Sequence, residues 1–163
     1  MFKAIPLFFL TTFSIGVLAQ VGVVSRDTSL TDTTDTKFKV GQVWHYKTRK
    51  GEEASTLTVL KLDNSPAVGV IVHVAINGIQ YHSCVPAETP DHLEHMPFTK
   101  KALESSVTEL AKVPEQPIPD FFAAYSQWRS LYTEHKVGIY TSTVADALEF
   151  GEKTYRRGMG CKD

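Results

Sequence analysis

VIVHVAINGIQYHSCV, residues 70–85, is the stretch on which the fold turns. Asn77-Gly78 sits between two apolar runs and is the favoured pair for a two-residue type I′ hairpin turn. Placing Ile76 opposite Ile79 puts Val74 across from Tyr81, Val72 from Ser83 and Val70 from Val85. These eight pair on one side of the ribbon, which is the predicted core face. The other side pairs Ala75 with Gln80, His73 with His82 and Ile71 with Cys84. Two histidines are therefore expected as cross-strand neighbours, with a cysteine two residues along.

Working outward, Phe38, Val40, Trp44 and Tyr46 fall at even positions, with Gln42 and Val43 breaking the alternation, as best fits a half-buried strand. The segment TRKGEE turns the chain, and Ser55–Leu62 is rich in β-branched residues and leucine, which completes a first hairpin. Downstream, Ala87–Pro97 reads as a loop. Thr99 is positioned to cap a helix, with Phe98 and Leu103 as a hydrophobic staple, running to about Lys112. Pro114–Pro119 forms an extended connector, and Asp120 is the expected cap of a second helix. In that helix Phe121, Tyr125, Trp128 and Tyr132 recur at helical spacing as a core stripe, up to about His135, and Gly138 closes it. Ile139–Thr141 adds a short edge strand. Thr143 caps a third helix carrying Val144, Ala147, Leu148 and Tyr155, with Asp146 completing a loose capping box. The expected class is α+β: an antiparallel sheet of four to five strands with about three helices packed on one face.

The ends and the composition set the context. Lys3 precedes an apolar run from about Ala4 to Leu18 that ends in a small-residue pair, the layout of a secretory signal spanning residues 1–19. Gln20 rather than cysteine follows the expected cleavage point, so no lipid anchor is predicted. Residues 20–36, rich in threonine and aspartate, read as a flexible leader. Residues 37–157 form a single globular domain, and 158–163 a tail. This organisation predicts a soluble periplasmic or secreted protein. With 17 basic and 18 acidic residues and no basic cluster, nucleic acid is excluded as a partner. The segment FKVGQVWHYKTRKGEEASTLTVLKL, with VIVHV and HMPFTKKALESSVTEL further on, resembles a group of small bacterial proteins that share a GQVW-x-Y-x-TR-x-GE run followed by STLT-x-LK. The resemblance covers about Lys37 to Phe150 and implies a domain that starts at Lys37. It carries no activity, ligand or catalytic residue with it.

Two chemistries compete for the histidines and cysteines. His73, His82 and Cys84 share one face in the expected register, and His92 and His95 lie in the loop that follows. Imidazole and thiolate are the ligands that zinc and copper prefer, so these five form a candidate transition-metal set. Cys84 and Cys161 are also the two cysteines of a chain expected to meet an oxidising compartment, which favours a disulfide between them. A bonded Cys84 is no longer a thiolate ligand. No hydrolase, zincin, P-loop or dinucleotide motif is present, and no catalytic residue or cofactor is assigned. The leading expectation is a binding protein that contacts another protein through Pro114, Pro117 and Phe122, in the manner of an inhibitor or immunity protein acting on an envelope-directed toxin or hydrolase. A periplasmic metal-binding protein is the alternative.

Overall fold

The computed structural model describes residues 28–85, 89–112 and 117–162. The expected signal segment, the start of the leader and Pro114 lie outside these residues. Strands run over Thr31–Asp32 (β1), Val43–Tyr46 (β2), Thr56–Ser65 (β3), Gly69–Asn77 (β4), His92–Thr99 (β5) and Val107–Leu110 (β6). Helices cover Lys100–Ser106 (α1), Phe122–Thr133 (α2) and Val144–Gly158 (α3). The sheet is antiparallel in the order β5-β4-β3-β2-β6, with β1 paired to the far end of β3. The class is α+β, as the sequence predicts.

β4 is apolar at both parities, with His73 as its one polar interior residue, so the strand is covered on both faces. Val72, Val74 and Ile76 join Leu57, Val59 and Leu62 of β3 in the main core. Ala102 and Leu103 of α1 and Val144, Ala147 and Leu148 of α3 close over them. Ile71 points the other way, into a second cluster with Tyr125, Trp128 and Tyr132 of α2. The helices thus divide between the two faces instead of sharing one. The aromatic stripe of α2 is core, as its spacing predicts, but it covers the side of β4 opposite the valines.

The Asn77-Gly78 hairpin does not form. Gly78 takes the left-handed conformation the turn calls for, at φ 76°. Its amide and that of Ile79 instead donate to the Asp91 carbonyl at 2.9 and 3.0 Å. The partner of β4 is β5, with Asn77 opposite His92, Val74 opposite Met96 and His73 opposite Pro97. His82 is therefore no neighbour of His73. Residues 79–84 are drawn away by contacts outside the ribbon. Gln80 donates its amide to buried Glu52 at 2.7 Å, His82 donates its amide to Glu152 of α3 at 2.8 Å, and Cys84 is disulfide-bonded to Cys161. Ile79 and Tyr81 still enter the core, without strand pairing. Pro97 is tolerated because β5 is an edge strand, where a missing N–H costs no ladder bond on the open side.

Three boundaries also shift. The helix capped by Thr99 stops at Ser106, where the Ser105 and Ser106 hydroxyls both donate back to the Ala102 carbonyl at 2.8 Å. The β-branched Val107-Thr108 then pairs with the free edge of β2 as β6. Residues 28–36, expected to be flexible leader, lie against the sheet: Thr31 and Asp32 pair with Asn64 and Asp63, and Asp35 accepts the amides of Lys37 and Phe38. Of the aspartates that suggested disorder, Asp32 pairs with Lys61 and Asp35 with Lys100. Finally, α2 ends at Thr133, and His135, with φ 58°, takes the left-handed closing position expected of Gly138. The cap of α3 is as predicted, with Thr143 Oγ1 accepting from the Asp146 amide and donating to its carboxylate.

Candidate functional site

Two β-bulges build a polar cluster on the α2 face. In β3 the register slips at Leu60, so that Lys61 pairs with His73 and Asp63 with Ile71. Without that extra residue Lys61 would sit opposite Val72 and point into the main core; the bulge re-aims both charged side chains to the other face. In β5 a second slip lies between Val74 and Ile76 of its partner, with Leu93 opposite Ile76. Leu93 thereby packs against the core while Glu94 stays out of it, and His95 remains on the face of His73.

The side chains then form a continuous chain of hydrogen bonds. Asp63 is buried and accepts from Tyr125 Oη at 2.7 Å, from His73 Nε2 at 3.1 Å and from Lys61 Nζ at 3.1 Å. Nδ1 of His73, itself fully buried, lies 2.8 Å from Nε2 of His95. Burial works to raise the Asp63 carboxyl, but the bonds from His73, Tyr125 and Lys61 outweigh it and hold the group at about 2. Burial depresses His73 despite its carboxylate partner, and burial together with repulsion from His73 brings His95 to about 4. Burial and the adjacent carboxylate push Tyr125 up to about 12.

These states fix the protons. An ionised Asp63 only accepts, so His73 carries its proton on Nε2 and its neutral Nδ1 accepts from Nε2–H of His95. Nδ1 of His95 is left as a lone-pair acceptor. It has no protein partner among the described residues, where every buried side-chain nitrogen or oxygen is otherwise paired, so solvent reaches it. His95 opens into a groove of about 510 Å³ between β5, α2, residues 137–140 and Phe150 of α3. Trp128 forms part of the wall. Its indole N–H is engaged by the Gly138 carbonyl at 3.1 Å, and its ring stacks on Tyr132 at 5.0 Å.

The five residues of the expected metal set are not assembled. His73 and His95 meet, but His82 is exposed and bonded to Glu152, His92 is bonded to Asp91, and the sulfur of Cys84 is in the disulfide with Cys161. Among the described residues no group of three or more His, Cys, Asp or Glu side chains is placed to hold a metal ion. The cause is the failed hairpin register, which carries His82 and Cys84 away from the sheet. Of the expected contact residues, Pro117 is exposed and Phe122 is 72% exposed at the start of α2, with Ile118 also exposed nearby in sequence. Phe122 shares a shallow hollow with Ser126, Arg129 and Ser130. No helix of the described residues is long and apolar enough to cross a membrane.

The sequence reading did not find Asp63, Lys61 or the groove. One signal was present: a histidine inside the otherwise apolar VIVHV must find a polar partner if the strand is buried on both faces. Compared with protein-family models, curated proteins and solved structures, the chain shows no match to any.

Proposed function

We propose that this chain is an exported binding protein that acts by occupying another protein, as an inhibitor or immunity protein does against a toxin or hydrolase directed at the cell envelope. The observation that carries the proposal is the exposure of Phe122, a large aromatic standing outside the buried stripe of its own helix, with Pro117 and Ile118 exposed ahead of it. An aromatic anchor on a helix start, preceded by a proline-stiffened approach, combines a large apolar contact with a low ordering cost. The Cys84–Cys161 disulfide supports an oxidising compartment, where such bonds persist. The resemblance to small bacterial proteins is compatible with this role and adds no activity to it.

The test is affinity capture from periplasmic and secreted fractions with the native chain, with Phe122→Asp and with Lys153→Glu on α3 as a control at a second surface. A partner retained by the native chain and the control, and weakened about thirtyfold by F122D, supports the proposal. Equal capture by all three, or no capture at micromolar concentration, overturns it.

A further inference from the structure

We propose that the groove in front of His95 is a binding site for a small uncharged apolar molecule bearing one weakly acidic hydroxyl, whose O–H donates to Nδ1 of His95. This site is separate from the Phe122 surface and stands or falls independently of the proposed protein contact.

The shape and the chemistry of the wall both point to that ligand class. A groove of about 510 Å³ falls in the range of small-molecule sites, roughly 300–1,000 Å³, which are mostly apolar with a few placed polar groups. Here Trp128, Leu131, Ile139 and Phe150 supply apolar wall, and among the described residues no lysine, arginine, aspartate or glutamate lines it. A charged ligand would find no counter-ion among them. A bound peptide strand would need free backbone partners, yet the Pro97 carbonyl, the Thr99 amide and both backbone groups of Tyr140 are already joined across the inner end of the groove.

The polar anchor is built for one task. His95 cannot turn its donor to the ligand, because Nε2–H is spent on His73, and His73 is held in turn by Asp63, which Tyr125 and Lys61 also grip. The groove therefore offers a fixed acceptor and no matching donor from that ring. A carboxylate sits at the far end of the chain, and chains of hydrogen bonds polarise one another, so its charge strengthens the acceptor at the near end. A weakly acidic O–H is the donor that gains most from such an acceptor. A carboxylic acid, which arrives ionised, would instead bring a second negative charge towards Asp63. His95 is neutral over the ordinary pH range, which keeps its lone pair available.

The experiment uses the full disulfide-bonded chain and two probes of nearly equal shape, 4-propylphenol and its methyl ether 4-propylanisole, titrated by calorimetry and by nitrogen NMR of the histidine rings. The phenol is expected to bind with Kd on the order of 1 mM or tighter, consistent with about −0.4 kcal/mol per non-hydrogen atom. The ether is expected to bind at least about tenfold more weakly, since it leaves the acceptor unpaired. Nδ1 of His95 should shift on adding the phenol alone. Ala124→Phe, which leaves the hydrogen-bond chain intact and fills the groove, should abolish binding of both probes, and His95→Phe should erase the difference between them. Equal affinities for phenol and ether in the native chain, an unshifted His95, undiminished binding to A124F, or no binding of the phenol at several millimolar would each overturn the proposal.

Discussion

The two faces of β4 solve burial by different means. On the valine face, side chains of β3, β4, α1 and α3 meet mainly as hydrocarbon, with the buried Ser106 hydroxyl accepting the Val144 amide between the two helices. On the α2 face Asp63, His73 and His95 are placed under an aromatic helix, and every polar atom of Asp63 and His73 has a named partner. The first face tolerates change in proportion to the volume lost. The second is a network in which each member is affordable only while the others remain, because desolvated polar groups are costly chiefly when left unpaired.

That contrast makes its largest prediction at Asp63. Asp63→Ala removes the acceptor of Tyr125, His73 and Lys61 together and should destabilise the chain by about 3–5 kcal/mol. The triple change Asp63→Leu, His73→Leu and Tyr125→Phe removes the carboxylate together with two of its donors, leaves Lys61 paired with Asp32 and His95 open to the groove, and should cost well under half as much, although it deletes more interactions. On the valine face the order is the usual one: Leu148→Ala costs about 2–5 kcal/mol, and further truncations add to it. Urea unfolding of the three variants checks this. If the triple variant is the least stable, Asp63 and its neighbours contribute as independent bonds and the contrast between the faces fails.

Acid should separate the faces next. His95 has a folded value of about 4 against an ordinary 6.5, and His73 is depressed in the same direction. Between those values the unfolded chain binds more protons, so stability is complete above about pH 6.5 and is lost as the pH falls towards 4. Asp63, at about 2 against 3.8, and the lowered Asp35, Glu52 and Glu152 add a second stage of loss further down, with the same sign. The first stage should amount to about 2 kcal/mol, because solvent at the groove screens part of the His95 shift. Unfolding midpoints measured from pH 7.5 to 3 should show both stages in the native chain. In His95→Gln the loss between 6.5 and 4 should shrink and the lower stage remain. An unchanged upper stage would place its origin outside His95.

The two faces also differ in how far they could be read from the residues. The valines of β4, the β2–β3 hairpin, the Tyr125, Trp128 and Tyr132 stripe and the Thr143 cap follow from local spacing, and each is where the spacing puts it. The pairing of Cys84 with Cys161 was one of two chemistries the sequence allowed. What escaped was set by distant contacts. Asn77-Gly78 has the chemistry of a tight hairpin, yet Glu52, Glu152 and Cys161 hold residues 80–84 elsewhere and leave β4 to β5. Alternation also breaks at Leu60 and Glu94, and a bulge is not visible in a pattern that assumes strict period two. Both bulges flank the polar chain, so the site was hidden for the same reason that it exists.

The smallest effect lies at the end of the helix that covers the polar face. His135 adopts φ 58° while its amide bonds the Tyr132 carbonyl at 3.0 Å and the Lys136 amide reaches back to Leu131 at 2.8 Å. This is the paired-bond ending in which glycine is the favoured residue, since a Cβ at positive φ meets the following carbonyl. His135→Gly should therefore stabilise the chain by about 1 kcal/mol, net of the backbone freedom glycine adds to the unfolded state. The segment that follows this turn supplies Val137 to Tyr140 to the groove. A firmer helix end should hold that rim no worse, while His95 and its partners are untouched. The substitution should thus raise the unfolding midpoint measured at pH 7.5 by a few degrees. A midpoint left unchanged or lowered would show that the left-handed turn costs the chain nothing at His135, and that the histidine side chain contributes a contact that glycine cannot replace.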